Sequence, residues 1–358
     1  MIISRTPFRI SFFGGGTDYP AWYNHHGGAV LAAGIDKYCY LTCRYLPPFF
    51  EHKTRLVYSR VESCRTVDEI QHPSVREVIR YLKIERGLEI HHDGDLPARS
   101  GMGSSSSFTV GLLNGLNALL GRMPTKHDLA TEAIHIEQNI LKETVGSQDQ
   151  VMAAYGGLNH VTFIPGEKIS VRPVTISKKR MEEFQDHLML FYTCIKRTAS
   201  NVADSYVHDL GAKKRQLRIL RDLVDESLSI LSTEKDITMF GELLNESWYI
   251  KQSLSNKVSN DSVNDIYKAA CSAGALGGKL TGAGGGGFML LFVPPENHEK
   301  VKEALKHTIY VPFKFDFGGS QIIYFSHETD YHHEERLRDC QAPVLFKELF
   351  PEEAQGWS

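Results

Sequence analysis

Several features are missing from this 358-residue sequence, and each absence narrows what the protein does. No apolar run approaches the roughly 20 residues of a membrane-crossing helix, so no spanning segment is expected. The opening MIISRTPFRISFFGGG reads as a strand and is followed by no A-x-A-like cleavage site, so it does not read as a secretory signal. There is no excess of basic charge. With 40 Lys and Arg against 43 Asp and Glu, the formal net charge is −3, which implies no general affinity for nucleic acid or anionic membrane. The six cysteines contain no C-x-x-C pair and read as reduced thiols of a cytoplasmic protein. The doublets His25-His26, His91-His92 and His332-His333 lack H-x3-H spacing and cysteine partners, so they are read as surface or core histidines rather than zinc ligands. A Walker A loop is absent too, because Gly278-Lys279 is followed by Leu280 and preceded at the required spacing by Ala273. No internal repeat appears, and no low-complexity segment beyond glycine runs.

What is present is ordinary for a globular chain large enough for two domains: 42% apolar and 23% charged residues. Strand patterns cover residues 1–13, two runs within Ala29 to Arg44, Arg55 to Ser59, Leu88 to His92, Leu158 to Ile164, Ile169 to Ile176, His187 to Ile195, Phe288 to Val293 and the stretch FKFDFGGSQIIYF. Helical spacing covers Pro73 to Gly87, a segment from Thr125 to about Glu143 that opens on a Thr125-x-x-Asp128 capping box, and the ranges 211–232, 236–254 and 297–307. The charged segment Ser177 to Asp186 is read as a linker, which divides the chain into domains 1–180 and 181–358.

The stretch Asp95 to Leu120, DLPARSGMGSSSSFTVGLLNGLNALL, organises the rest. Gly101 and Gly103 lead into Ser104 to Ser107 and then into a long apolar helix. Glycines let backbone N–H groups converge, and a helix start adds free N–H groups and the positive end of its dipole, which together cradle an anion. The same residues serve equally as a loop that caps a helix. Glu137 is an odd residue on its helix, with Ala133, Ile134, Ile140 and Leu141 three and four positions away. Helix geometry alone allows either a buried carboxylate that needs a cation or donors, or a glutamate at the wet edge of the stripe.

Pro97 to Ser107, PARSGMGSSSS, resembles the P-x-x-x-G-(L/M)-G-S-S-x-x phosphate loop of the GHMP kinases. Three more segments fit the same family in order. PFRISFFGGGTDY, Pro7 to Tyr19, is similar to its sugar-side segment, GSQDQ, Gly146 to Gln150, to its aspartate run, and KLTGAGGG, Lys279 to Gly286, to its third motif. The resemblance implies an α+β two-domain GHMP kinase fold, with an N-terminal domain like ribosomal protein S5 domain 2 and a ferredoxin-like C-terminal domain. It implies ATP and Mg²⁺ as cofactors, with ATP held by Pro97, Arg99, Ser100, Gly101, Met102, Gly103, Ser104, Ser105 and Ser106, and the metal by Ser105 and Glu137. Asp149 and Arg9 take the catalytic positions, although Asp149 in so tight a loop would also serve as a helix N-cap. Gly15, Gly16, Thr17, Asp18, Gly282, Ala283, Gly284 and Gly285 fall to the substrate.

Gly15-Gly16 stand where galactokinases carry Glu-His. The spelling FRISFFGGGTDYPAWY, with FYTxIxRxAS from Phe191 to Ser200, is similar to members that phosphorylate C1 of D-glycero-D-manno-heptose 7-phosphate to the 1,7-bisphosphate. Cys194 departs from that pattern, which has glycine there. A phosphorylated sugar needs a cationic anchor, and Lys196 and Arg197 are the candidates, with Arg197 preferred for its forked donors; solvated surface bases are the other reading of both. An L-fucokinase-like or other sugar 1-kinase and a non-catalytic sugar sensor are the competing functions. The expected partner is a small sugar phosphate, with no nucleic acid or membrane, and a homodimer is left open.

Overall fold

The computed structural model describes residues 1–98, 100–166, 168–195, 213–327 and 331–339. Its first sheet is built on two long neighbours, β1 (Ile2–Phe13) and β2 (Gly28–Tyr45). The two strand runs expected in Ala29 to Arg44 are one 18-residue strand. Its first half, Gly28 to Ala33, pairs with β6 (Leu158–Ile164), and its second half, Cys39 to Tyr45, pairs with β5 (Leu88–Gly94). Beyond β5 come β3 (Thr54–Val57), parallel to it, and β4 (Val61–Cys64), while β7 (Lys168–Pro173) extends β6. The parallel pair requires a crossover, and α2 (Pro73–Leu82) lies within it, burying Val75, Val78, Ile79 and Leu82 as its spacing indicated.

One helix lies across β1 and β2. This is α3 (Ser104–Leu119), with Val110, Leu112, Leu113 and Leu116 fully buried. A helix apolar on nearly every side belongs inside a protein. Ser107 Oγ donates to the Pro7 carbonyl at 2.9 Å and Ser4 Oγ to Gly111 at 2.9 Å, which ties the helix start to β1.

The second sheet is antiparallel throughout, in the order β11 (Ile309–Tyr310), β8 (Leu188–Tyr192), β10 (Phe288–Phe292), β9 (Gly277–Leu280). Helices Lys214–Ser232, Thr238–Gln252 and Asp261–Ser272 accompany it. β12 (Gln321–Phe325) then leaves this half and pairs antiparallel with β1, so the chain returns to the first sheet. The longer strand expected across FKFDFGGSQIIYF is cut short because Asp316 Oδ1 accepts the N–H groups of Gly318 and Gly319 at 3.0 and 2.9 Å, forming a turn.

The segment Ser177 to Asp186 is not a linker but a capped helix, α6 (Lys178–Asp186). Ser177 Oγ accepts from Arg180 N at 3.2 Å, and Phe184 is fully buried. Its charges are the solvated face of a helix anchored by one phenylalanine. Phe184 joins Phe12 of β1, Phe240, Phe292 of β10 and Phe315 in an aromatic cluster with centroid separations of 4.7 Å for Phe184–Phe240 and 5.3 Å for Phe12–Phe184. Such pairs prefer tilted and edge-on contacts, as here. The cluster fastens the two sheets together, directly behind the strand that carries Arg9. Among the described residues no helix is long and apolar enough to cross a membrane.

Candidate active site

Arg9 reaches its position through a break in register. The β1–β2 pairing shifts between Pro7 and Phe8, and Arg9 then stands opposite Gly34. A proline cannot donate to the ladder, and a bulge re-aims the side chains beyond it. Arg9 is 3% exposed. Its Nε and Nη2 donate to Oδ1 and Oδ2 of Asp149 at 2.7 and 2.8 Å, and its Nη1 donates to the Gly101 carbonyl at 2.8 Å. One guanidinium thus grips the aspartate of the GSQDQ run and the phosphate loop at once, the bidentate geometry that makes arginine–carboxylate pairs strong and oriented.

Asp149 is the second residue of α5 (Gln148–Tyr155), and Ser147 occupies the N-cap position. The capping alternative for Asp149 therefore does not apply. Asp149 belongs to the first turn of that helix, where the dipole favours negative charge. At 23% exposure it opens to a cleft of ≈490 Å³.

Gly101, Gly103, Ser104, Ser105 and Ser106 line that cleft, as do Gly15, Gly16, Asp18, Gly282 and Ala283, together with Arg9, Asp149 and the segment 142–146. Gly101 and Gly282 interlock. Both have positive φ, +81° and +65°, and a Cβ on either would come within 2.7 Å of the other loop's backbone. Only glycine permits that approach. The phosphate loop and the third motif are thereby held edge to edge.

Other expected site residues lie elsewhere. Met102 is fully buried and meets the site through its carbonyl, which accepts from Arg9 N at 3.1 Å. Ser100 is buried, while Pro97 is exposed and does not line the cleft. Thr17 is buried in its own turn, its hydroxyl donating to Gly14 at 2.8 Å. Gly284 and Gly285 pack against Val258, whose carbonyl accepts from Gly285 N at 2.8 Å. Arg99, Lys196 and Arg197 lie outside the described residues.

Asp18 is buried, and its Oδ1 accepts from Gly16 N at 2.9 Å. Burial pushes its carboxyl pKa up, and the nearby charge of Asp149 adds to the effect. Gly146 makes room for it: a Cβ there would sit 1.9 Å from Asp18 Oδ2.

Glu137 is fully buried. The expected single helix from Thr125 to Glu143 is α4 (Lys126–Ile134), opened by the Thr125 capping box and continued by a π-helical turn, His135–Ile140. π-turns mark functional positions, because the extra residue rotates the next part of the helix, and here Glu137 is turned inward. Ser106 Oγ donates to its Oε2 at 2.8 Å, and Gln150 Nε2 donates to the same oxygen. The hydroxyl on Glu137 is thus that of Ser106, while Ser105 faces the cleft. Oε1 has no hydrogen-bond partner among the described residues. Burial pushes the carboxyl up to about 7 against the pull of the Ser106 and Gln150 donors. An orphaned buried carboxylate oxygen beside a serine-rich phosphate loop is a donor set that suits a hard divalent cation such as Mg²⁺. Among the described residues no group of three His, Cys, Asp or Glu gathers, so such an ion would draw its other ligands from hydroxyls, water and nucleotide phosphates.

Several cleft residues escaped sequence reasoning, among them Ser11, Lys142, Glu143 and two buried lysines. The lysines are Lys251 and Lys279, at 5% and 3% exposure. Lys251 lies on a stripe with Leu244, Ser247 and Trp248, at helical spacing i, i+3, i+4, i+7. That charge on a buried stripe is the signal that singled out Glu137. Lys279 opens the third motif, whose glycines drew the attention instead.

Residues 73–157 match the family model described as GHMP kinases N terminal domain, and 223–311 the one described as GHMP kinases C terminal. The chain is 29% identical over 331 residues to a D-glycero-alpha-D-manno-heptose 7-phosphate kinase of Campylobacter jejuni, covering 89% of this chain and 97% of that protein. It is 23% identical to a galactokinase of Pyrococcus furiosus over 88% and 95% of the two chains. Among solved structures, a D-glycero-D-manno-heptose 1-phosphate kinase from Bacteroides thetaiotaomicron superposes with a TM-score of 0.75 at 22% identity, over 91% of this chain and all of that one.

Proposed function

Given that the chain belongs to the GHMP kinase family and is an ATP-dependent sugar kinase, we propose that it phosphorylates the anomeric C1 hydroxyl of D-glycero-D-manno-heptose 7-phosphate. The product is the 1,7-bisphosphate, a precursor of nucleotide-activated heptose, made in the cytoplasm. The observation that carries the chemistry is the Arg9–Asp149 fork, poised between the phosphate loop and the cleft. The name of the Campylobacter jejuni relative supports the choice of sugar.

In this reading Asp149 accepts the proton of the C1 hydroxyl, or polarises it, as that oxygen attacks the γ-phosphorus of ATP. Arg9 fixes both oxygens of Asp149 and offsets charge on the reacting oxygen. The Gly101–Ser106 loop and the start of α3 hold the nucleotide phosphates through backbone N–H groups. Glu137, with Ser105 and Ser106, would hold Mg²⁺, which when bound neutralises charge on the β- and γ-phosphate oxygens. Asp18 and the Gly15–Gly16 backbone meet the sugar hydroxyls. We keep the division into domains 1–180 and 181–358, which the presence of two separate sheets supports.

The test is ADP release measured with a panel of the heptose 7-phosphate, the free heptose, L-fucose and D-galactose. The heptose 7-phosphate should give the highest kcat/KM, with the new phosphorus resonance coupled to the anomeric proton. A higher kcat/KM for L-fucose would replace the substrate with a 6-deoxyhexose. Sugar binding without ADP release would make the protein a sensor.

A further inference from the structure

Lys251 and Lys279 are buried lysines that face the cleft with no carboxylate in direct contact: Asp18 acts on both, and Asp149 on Lys251, only from a distance. The Arg9 guanidinium is neutralised by Asp149. The two lysines are not paired in this way: Lys279 Nζ donates to the Phe12 carbonyl at 2.8 Å, and Lys251 Nζ to the carbonyls of Leu280 and Gly282. Among the described residues neither has an acidic side chain within ion-pair distance. Carbonyls orient an ammonium group but do not cancel its charge, and a buried uncompensated charge is costly. The cost is visible in both groups. Burial lowers the Lys251 ammonium to about 8, and burial, with Lys251 as the next cause, lowers Lys279 well below its ordinary range. Two such lysines come from different elements, one from helix Thr238–Gln252 and one from β9, and converge on one cleft. Packing alone would be better served by methionine at both places.

We propose that Lys251 and Lys279 form a buried seat for a phosphate dianion. This rests on the kinase reading above and stands beside Arg197, which lies outside the described residues and keeps its place as an expected anchor. Two phosphates can come to this cleft: the one the acceptor sugar already carries, and the γ-phosphoryl group in transfer. The chemistry is the same for both, namely two ammonium donors and one dianion that cancels their charge.

The experiment uses the full chain and the variants Lys251→Met and Lys279→Met, with Lys251→Arg as the charge-keeping control and thermal unfolding as the check that each is folded. Binding of the heptose 7-phosphate without ATP is measured by calorimetry. Steady-state rates are taken with the phosphorylated and unphosphorylated heptose. If the seat holds the acceptor's phosphate, each Met variant weakens Kd and raises KM for the phosphorylated sugar about 10- to 150-fold, and leaves the unphosphorylated sugar alone. If it holds the phosphoryl group in transfer, kcat falls by a similar factor with both sugars and the acceptor Kd stays. Lys251→Arg retains most of either function. Folded Met variants with Kd, KM and kcat all within twofold of the wild type would overturn the proposal. Failure of the substrate reading looks different: the wild type itself would ignore the heptose and use another sugar, and the lysine variants would then be measured with that sugar.

Discussion

At Asp149 two carboxylate oxygens are spoken for by one arginine, yet the group opens to the cleft, which suits a base that must be held and still reachable. Asp149→Asn should lower kcat by about 10²–10⁴-fold with little change in ATP affinity. Coupled kinetics and nucleotide titration measure both, and a kcat near that of the wild type would return Asp149 to the role of a partner for Arg9. Glu137 gives a prediction in stability rather than rate. Its carboxyl is raised from 4.5 to about 7 by burial. Between those pH values the folded chain binds more protons than the unfolded one, so this group's contribution to stability falls as pH rises through the window. The loss amounts to about 3 kcal/mol by pH 8. Glu137→Gln should flatten the slope of Tm against pH from 4.5 to 7 when measured without Mg²⁺. A slope equal to that of the wild type would show that the Glu137 carboxyl titrates in its ordinary range.

The elements that build the cleft are joined through glycine, and the sequence displayed those glycines plainly. The phosphate loop, the T-D-Y segment, the GSQDQ run and the third motif were all legible because their chemistry is local: a turn, a helix start, a close backbone approach. Cys194 is instructive in the same way. The position where the resemblance has glycine sits at φ +61°, a left-handed conformation that glycine adopts without strain. What sequence could not display was depth. Helical spacing left Glu137 open between a buried and an edge position, because a π-turn is invisible to a 3.6-residue period. Lys251 and Lys279 were not singled out: one lies on an apolar helical stripe and the other opens a motif whose glycines drew the attention. The charged run of α6 masked the one buried residue, Phe184, that makes it part of the core. At this scale Gly146→Ala is the telling change. Its Cβ would strike Asp18 Oδ2, 1.9 Å away, and turn that carboxylate out of the cleft. KM for the sugar should rise at least tenfold while KM for ATP stays within twofold, with circular dichroism unchanged. Equal effects on both substrates would mean that the loop, rather than Asp18, had moved.

The molecule as a whole depends on its two sheets staying in register across the cleft. The Phe12–Phe184–Phe240 cluster provides that join. Phe184→Ala removes a fully buried ring and should cost about 3–5 kcal/mol, read as a lower midpoint in chemical denaturation with an unchanged slope. A shift of under about 1 kcal/mol would show that the halves are held by other contacts. The function likewise belongs to both halves, since Arg9 and Asp149 come from the first and Gly282, Lys251 and Lys279 from the second. In the proposed reaction this cleft moves a phosphoryl group from ATP to C1 of a sugar that already bears a phosphate. The most direct measurement is the ratio of kcat/KM for D-glycero-D-manno-heptose 7-phosphate to that for the unphosphorylated heptose. A phosphate seated by charged donors predicts a ratio of about 10 or more. A ratio near one would overturn this substrate and leave a sugar kinase that has no use for the acceptor's phosphate.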